Sequence, residues 1–357
     1  MDQSNSLRAS IKRSAELETL IETNAAQFTV LTGDRPTGPL HLGHYFGTLA
    51  NRLRLQQAGA KLFILVADYQ VLTDRDVADR LSEYVTGLVA DYLAIGIEPA
   101  SATIFAHSAV PALNQLLLPF LSLVSVSELQ RNPTVKEEIK LSRQSGVSGL
   151  MLTYPVHQAA DILFGKANLV PVGKDQLPHV QIARVVARRF NERYADLFPV
   201  PDALLSAAPN LLGTDGQKMS KSRANSIALG ASADETARLI KRAKTDEIRS
   251  VSYDPASRPE VSSLVLLAAL CQARDPAELA AEISGGGSAE LKRVVTESVN
   301  EFLRPIRTER AALIADPGHL RAVLAAGNAT ANVIAGRTLA EVAEAMGTRY
   351  DRSTLSG

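Results

Sequence analysis

The chain is constrained most by residues 28–48, FTVLTGDRPTGPLHLGHYFGT, which combine three kinds of local structure in a short space. The first five, FTVLT, are the aromatic and β-branched residues typical of a buried strand, and Gly33 ends that strand. Two glycines and two prolines then indicate tight turns and close approach of a ligand, at Gly33, Pro36, Gly38 and Pro39. A helix is predicted from about His41 to Gly59. The sequence therefore predicts a ligand-binding turn where a strand ends.

The alternation of strand and helix continues along the chain. LFILVA at 62–67 is a continuous apolar run, as expected of a parallel strand that is covered on both faces. A helix from about Asp76 to Gly96 and a strand at Ala102–Ala106 follow. Beyond Ser222 helical patterns prevail, at Ala233–Ala243, Ser262–Gln272, Ala289–Phe302 and from Pro305 to Met346. These patterns predict a doubly wound parallel α/β domain followed by an all-helical C-terminal region.

His41 and His44 stand three residues apart in the first turn of the predicted helix, so both rings lie on one face. That face adjoins the unpaired N–H groups and the positive end of the helix dipole, and Gly43 keeps it open. A polyphosphate is therefore a suitable ligand. Two alternatives remain from the pair alone: capping or core histidines, or two metal ligands. The metal alternative is weaker because no local Cys, Asp or Glu completes a set.

A polar trio lies on a predicted helix in which Pro155 takes the first position. Tyr154, Gln158 and Asp161 follow an i, i+4, i+7 spacing on one face of the otherwise apolar PVHQAADILF. A core tyrosine and a solvated aspartate would explain each residue singly, but together they indicate a substrate pocket. In VPVGKDQ at 170–176, an acid follows a glycine turn, where it either caps the next helix or binds a ribose hydroxyl.

A second motif lies far downstream, in GQKMSKS at 216–222, which carries two lysines three residues apart. Lysines in a polar loop are usually solvated, and this loop alone decides nothing. The joint pattern is more specific: PTGPLHLGH at 36–44 followed by KMSKS at 218–222 resembles the class I aminoacyl-tRNA synthetases. The resemblance spans most of residues 28–345. It implies a Rossmann-like, HIGH-type nucleotide-binding fold and an ATP-dependent ligase that joins an amino acid to tRNA.

The resemblance also divides the chain. Residues 1–27 lie outside it and are predicted to form an amphipathic helical extension. Residues 28–224 correspond to the catalytic domain, with a helical insertion at about 107–153 that carries the dimer interface in the family. The lysine loop, residues 214–224, ends this domain. Residues 225–357 correspond to the helical region that binds the tRNA anticodon.

Carried over residue by residue, the resemblance implies the ATP site. Its catalytic residues are His41, His44, Lys218 and Lys221. The wider ATP-binding set is Arg35, Pro36, Thr37, Gly43, His44, Gly173, Lys174, Asp175, Leu211, Lys218, Met219, Ser220, Lys221 and Ser222. Mg²⁺ is implied with ATP, and no metal ligand from the protein is predicted. The implied chemistry needs no protein nucleophile, because positioning and charge stabilisation suffice.

Within the family, the chain resembles the tryptophan branch more than its tyrosine relative. The implied tryptophan-binding set is Leu31, Tyr154, Gln158, Asp161, Val170, Val172 and Gln176. Asp161 matches the acid that receives the indole N–H, a group that only donates, while Tyr154 and Gln176 match groups that hold the substrate's amino group. Tyrosine enzymes usually place a tyrosine where this chain has Leu31, and recognition of a phenol depends on such polar partners. The implied partners are L-tryptophan, ATP, tRNA(Trp) and a second copy in a homodimer.

Three positions depart from the family pattern. Lys174 stands where many relatives have glutamate, Arg35 where several have glutamine, and Gln158 where some have an apolar residue. Two functions from other classes stay open beside a tyrosine enzyme. A small-molecule nucleotidylyltransferase shares the H-x-G-H turn but leaves the helical C-terminal region unexplained. A paralogue that binds tryptophan or RNA without charging tRNA keeps every motif.

The composition excludes some kinds of site and partner but does not indicate a function. The 38 basic and 38 acidic residues balance, so any contact with RNA must use a local patch. The single cysteine, Cys271, excludes an intrachain disulfide and a four-cysteine metal site. No apolar run has the length of a signal peptide or of a membrane span, which predicts a cytoplasmic protein.

Overall fold

The structure is a computed structural model that describes residues 3–71, 78–136, 147–205, 209, 211–220 and 223–350. At its centre lies a five-stranded parallel sheet with the strand order β3-β2-β1-β4-β5. The strands are β1 (Thr29–Asp34), β2 (Lys61–Val66), β3 (Ala102–Ala106), β4 (Leu169–Val172) and β5 (Asp202–Leu205). The chain extends the sheet from β1 to one side and then returns to the other, so the doubly wound prediction is confirmed.

Helices connect the strands and dominate the described C-terminal residues. Before residue 225 they are α1 (Gln3–Asn24), α2 (Leu42–His44), α3 (Ala50–Gln57), α4 (Leu81–Ala94), α5 (Pro111–Gln115), α6 (Leu117–Leu121), α7 (Val126–Arg131), α8 (Gly149–Leu163) and α9 (Leu177–Arg193). The C-terminal helices are α10 (Ala233–Lys241), α11 (Pro259–Gln272), α12 (Pro276–Glu282), α13 (Gly287–Ala315) and α14 (Pro317–Ala345). The predicted helical C-terminal region is therefore confirmed. No helix among the described residues is both long enough and apolar enough to cross a bilayer.

Alternate side chains of the central strands enter two separate cores. Leu62 and Ile64 of β2 lie in one core, and Phe63 and Leu65 lie in the other. Both faces of β2 are buried, which explains why its sequence is a continuous apolar run. At the end of β1, a Cβ on Gly33 would lie 2.4 Å from the carbonyl oxygen of Leu65. Glycine therefore lets β1 approach β2 closely just before the turn begins.

The N-terminal extension forms one helix, as predicted, and it packs on the sheet edge at β5. Leu17 and Ile21 are buried, whereas Ile11 is half exposed. Ser14 Oγ accepts a hydrogen bond of 2.9 Å from the backbone N–H of Leu205. The short strand β5 has no pattern of its own in the sequence, and α1 satisfies part of its free edge.

Two proline predictions are wrong. α8 begins at Gly149, where Ser148 Oγ accepts from Met151 N at 3.1 Å, so Pro155 lies inside the helix rather than at its start. α13 likewise runs through Pro305, which was predicted to begin a new helix. In both cases buried residues flank the proline, and their packing outweighs the single lost backbone hydrogen bond.

The last helix covers the opposite edge of the sheet. Asn328 of α14 accepts the backbone N–H of Ala106 through Oδ1 at 2.8 Å. A Cβ on Gly327 would lie only 1.8 Å from the carbonyl oxygen of Ile104, so α14 lies directly against β3. The last helix therefore packs on the central sheet and covers its second edge.

Candidate active site

The candidate site lies where the strand order of the sheet reverses, between β1 and β4. β1 and β4 are neighbours, but the chain leaves them toward opposite sides, and ligands of such sheets bind beyond the carboxyl ends of these strands. The glycine-rich turn follows β1 directly, and Gly173 follows β4. Two of the predicted ATP-binding segments thus flank one crevice.

The histidine turn, residues 40–44, begins the helix beyond β1. His41 is the N-cap residue of α2 and has an extended backbone. Its N–H donates to Nδ1 of His44 at 3.2 Å, and the two ring centroids lie 3.7 Å apart. His44 thus closes the helix start, as the capping alternative proposed. Both rings still lie on the face at the helix N-terminus, where a phosphate would bind.

The lysine loop meets the histidine turn at Gly43. A Cβ at this position would lie 3.1 Å from the His41 ring and 3.1 Å from Sδ of Met219. Glycine therefore allows Met219 to approach the backbone of the histidine turn closely. Lys218, the residue before it, is exposed. The structure brings together two motifs that are far apart in the chain.

Asn225 organises the lysine loop and was missed in the sequence. Its side chain is 2% exposed, its Oδ1 accepts Ser220 N at 2.8 Å, and its Nδ2 donates to Lys218 O at 3.1 Å. Nδ2 also donates to Asp215 Oδ1 at 2.7 Å. The KMSKS motif ends three residues before Asn225. The only signal in the sequence was therefore the general tendency of asparagine side chains to form hydrogen bonds with loop backbones. The predicted residues Lys221 and Ser222 lie outside the described residues.

A buried ion pair supports the turn from below. Arg52 Nη1 donates to Asp34 Oδ2 at 2.5 Å, and the Tyr92 hydroxyl donates to the same oxygen at 2.7 Å. Arg52 also donates to the carbonyl oxygen of Gly33 at 3.2 Å. Burial alone would raise the pKa of Asp34, but the charge and hydrogen bonds of Arg52 lower it to about 2. The sequence prediction missed this support, because it ended the strand at Gly33, whereas Asp34 is the last residue of β1.

The other predicted ATP-binding residues differ in exposure. Arg35 and Lys174 are exposed, Pro36 is buried and Thr37 is half-buried. A Cβ on Gly173 would lie 2.6 Å from Asp175 Oδ1, so the glycine leaves room for this exposed carboxylate. Asp175 does not cap α9; its Oδ2 accepts from Gln176 Nε2 at 3.0 Å. Leu211 is 6% exposed and lies beside the start of the lysine loop.

The predicted tryptophan-binding residues lie on β1, on β4, on α8 and just before α9. Leu31, Val170 and Val172 are buried in one core. Tyr154 and Gln158 of α8 meet at a residue that the sequence prediction missed, His179. Its Nε2 lies 3.3 Å from the Tyr154 hydroxyl, and its Nδ1 lies 2.6 Å from Gln158 Oε1. Burial lowers the pKa of His179 to about 4, so this ring stays neutral near pH 7.

Asp161 lies deeper, 1% exposed, and faces another unpredicted histidine. His107 Nε2 is 2.8 Å from Asp161 Oδ1, and the His107 ring stacks on His157 with centroids 4.1 Å apart. Burial alone would lower the pKa of His107, but Asp161 and, more weakly, Asp68 raise it. Burial lowers the pKa of His157. His107 directly follows β3, and that position at a strand's carboxyl end was the signal available in the sequence.

This cluster also has the composition of a metal site. One ligand atom each from His107, His157 and Asp161 lies within 4.8 Å of the others. However, the two rings stack face to face, and His157 Nε2 is bonded to Asn114 Oδ1 at 2.7 Å. Three ligands converging on one ion require rings that point to a common centre. The two histidines are therefore better suited to fixing the carboxylate of Asp161 than to binding a metal ion.

Comparison with known proteins identifies the family. Residues 23–304 match the family described as "tRNA synthetases class I (W and Y)". The chain is 43% identical over 329 residues to the Tryptophan--tRNA ligase of Treponema pallidum, covering 89% of this chain and 96% of that one. It is 38% identical over 322 residues to the Tryptophan--tRNA ligase of Thermotoga maritima, covering 89% and 98%.

Solved structures agree with the sequence comparison. The tryptophanyl-tRNA synthetase of Campylobacter jejuni, complexed with ADP and tryptophan, superposes with a TM-score of 0.79 at 29% identity, covering 89% of this chain and 99% of that one. The tyrosyl-tRNA synthetase of Archaeoglobus fulgidus, complexed with L-tyrosine, shares the fold with a TM-score of 0.61 at 23% identity, covering 79% and 90%. The chain therefore belongs to the class I tRNA synthetases of the tryptophan and tyrosine group.

Proposed function

We propose that this chain is a tryptophan-tRNA ligase. It activates L-tryptophan with ATP to tryptophanyl-adenylate and pyrophosphate, and it then transfers tryptophan to tRNA(Trp). The contact between Gly43 and Met219 carries the proposal, because it joins the histidine turn and the lysine loop at one crevice. Such a crevice can hold a triphosphate between a helix N-terminus and a lysine loop.

In the first step, a carboxylate oxygen of tryptophan attacks the α-phosphorus of ATP, and the bond to the pyrophosphate oxygen breaks. His41, His44 and the N–H groups of α2 hold the phosphates on one side. Lys218 and, as the motif implies, Lys221 stabilise the charge of the departing pyrophosphate on the other. These groups act by position and charge, and none of them forms a covalent bond to the substrate.

Mg²⁺ fits this site as an ion carried by ATP. The carboxylate at the end of β1, Asp34, is engaged by Arg52 and Tyr92 and is not available as a ligand. Mg²⁺ usually keeps several waters and binds through substrate phosphates, where it neutralises charge. The chain's own contribution is then to orient the phosphates rather than to bind the ion.

Asp161 supports tryptophan as the amino acid. Its carboxylate is buried on α8, where the adjoining residues Ala160 and Ile162 belong to an apolar core, and an indole N–H needs an acceptor of this kind. Leu31 offers a phenol hydroxyl no partner, which disfavours tyrosine. Tyr154 and Gln176 hold the amino group of the substrate.

The helical insertion supports a homodimer. Three of its apolar side chains are exposed in the single chain, Leu118 at 72%, Val126 at 58% and Val147 at 47%. Large apolar side chains with this exposure are typical of a surface that another protein covers. We assign this surface to a second copy of the chain.

The first test is amino-acid-dependent exchange of pyrophosphate into ATP, with tryptophan, tyrosine or no amino acid. Exchange with tryptophan alone is expected, whereas exchange with tyrosine would overturn the substrate assignment. A tRNA charging assay then separates a ligase from a paralogue that only forms adenylate. The chain contains no tryptophan, so all indole fluorescence comes from the substrate. The change in this fluorescence on binding measures the affinity for tryptophan apart from catalysis.

A further inference from the structure

An ion pair between a partly buried arginine and a buried aspartate connects a C-terminal helix to the histidine turn. Arg310 of α13 donates from Nε to Asp91 Oδ1 at 2.5 Å. Asp91 belongs to α4 and is 1% exposed. Its second oxygen, Oδ2, accepts the backbone N–H of Leu40 at 3.1 Å. Leu40 directly precedes His41, so one carboxylate links α13 to the residue before the first histidine.

The same arginine touches the segment that follows the lysine loop. A Cβ on Gly230 would lie 3.0 Å from Arg310 Nε, so the guanidinium rests against this backbone. The neighbouring residue, Leu229, donates its N–H to Leu40 O at 2.9 Å, and Leu42 N donates to Ile227 O at 3.0 Å. The histidine turn and the exit of the lysine loop are therefore one hydrogen-bonded unit, and Arg310 contacts it from the C-terminal side.

A role in stability alone does not explain this arrangement. An ion pair at a helix contact is often replaceable by apolar residues without loss of stability. Other ion pairs of α13 are exposed and lie within the helix, as in Arg304 with Glu301, whose side chains are 71% and 70% exposed. Asp91 instead accepts the backbone N–H of Leu40 with its second oxygen, and this N–H lies in the histidine turn.

We propose that Arg310 and Asp91 are positioning residues for adenylate formation. Arg310 fixes the carboxylate of Asp91, Asp91 fixes the backbone at Leu40, and this backbone sets the direction of the His41 ring and of the α2 N–H groups. A small displacement of groups that hold phosphates lowers the rate of transfer, because catalysis here depends on position. The inference rests on the proposed function of the histidine turn.

The test compares Arg310→Gln and Arg310→Lys with Arg304→Gln, a matched control on the same helix. Active sites are counted by adenylate burst, and the single-turnover rate per active site is measured together with tryptophan affinity by indole fluorescence. Arg310→Gln is expected to lower the rate about 10- to 100-fold with unchanged tryptophan affinity. Arg310→Lys keeps the charge and should recover part of the rate, and Arg304→Gln should equal the wild type.

A second measurement does not depend on activity. Hydrogen exchange of peptides covering residues 38–46 should be faster in Arg310→Gln, while peptides from the centre of the sheet stay protected as in the wild type. If Arg310→Gln does not fold, Arg310→Lys carries both measurements, with a rate at least about three-fold below wild type expected.

The positioning role would be overturned if the folded variants formed adenylate at the wild-type single-turnover rate and showed wild-type hydrogen exchange at residues 38–46. A loss confined to the number of active sites would overturn it as well. If the wild type showed no tryptophan-dependent exchange of pyrophosphate into ATP, the proposed function would be overturned instead. The hydrogen-exchange measurement would then still show whether Arg310 orders the histidine turn.

Discussion

At the scale of single residues, Asp161 shows how a buried carboxylate is held by its neighbours. His107 Nε2 lies 2.8 Å from Asp161 Oδ1, and the carboxylate raises the pKa of His107 against the opposing effect of burial. The His107 ring stacks in turn on His157, so Asp161 is fixed by a pair of buried histidines. The proposed role of Asp161 as the acceptor of an indole N–H depends on this fixed position.

Replacement of this acid tests its role. Asp161→Asn should lower kcat/KM for tryptophan in pyrophosphate exchange about 10- to 100-fold, because the acceptor of the indole N–H loses its charge and the hydrogen bond becomes weaker. The exposed Asp234→Asn serves as control and should behave as the wild type. Thermal unfolding of both variants separates a binding defect from loss of fold. An unchanged kcat/KM in Asp161→Asn would remove this residue from the tryptophan site.

Asp34 makes stability depend on pH in the acid range. Its pKa is about 2 in the folded protein against an ordinary value of 3.8, so its contribution is present above pH 4 and is lost as the pH falls toward 2. The difference corresponds to about 2 kcal/mol. In urea unfolding, the gap in stability between wild type and Asp34→Asn should narrow steadily below pH 4. A gap that stays constant from pH 6 to pH 2 would contradict the assigned ion pair with Arg52.

Sequence patterns predicted some residues of the site better than others. Gly43 and Met219 belong to motifs, and the structure brings them into contact. His107, His179 and Asn225 belong to no motif, and their partners lie far away in the chain, so only the folded structure reveals them.

At the scale of elements, the closest helix-to-strand contact is at Gly327. Gly327→Ala should lower the free energy of unfolding by about 2 kcal/mol or more, because its Cβ would lie 1.8 Å from Ile104 O. Gly336 lies on the same helix with no atom within 4 Å, and Gly336→Ala should raise stability by up to about 1 kcal/mol. Urea unfolding measures both. Equal effects of the two substitutions would show that α14 does not lie against β3.

Strands and helices were predicted where their patterns are strong. β2 and β3 are long enough to bury both faces, and the predicted bounds agree with the structure within one residue. β5 was missed because four residues carry too little pattern, and its partner α1 lies far away in the sequence. The breaks expected at Pro155 and Pro305 fail because tertiary packing holds the helices together across them.

At the scale of the whole molecule, the predicted fold class and enzyme family are confirmed, because two short motifs specified them jointly. The closeness of the C-terminal helices to the catalytic sheet was not predicted. It arises from contacts between distant parts of the chain, such as Asn328 with Ala106, that no local pattern encodes. Through them, α13 and α14 are structural supports of the catalytic half.

The proposed homodimer gives the last prediction. Leu118→Asp places a carboxylate on a surface where 72% of the leucine is exposed in the single chain, and burying that charge unpaired costs several kcal/mol. Analytical ultracentrifugation should show a dimer for the wild type and a shift to monomer for Leu118→Asp. Val333→Asp changes a residue of similar exposure, 65%, on α14 outside the insertion, and it should remain a dimer. Dimers of equal stability in both variants would show that the interface lies elsewhere. A monomeric wild type would overturn the homodimer, and the exposed apolar side chains of the insertion would then not mark an interface between two copies of the chain.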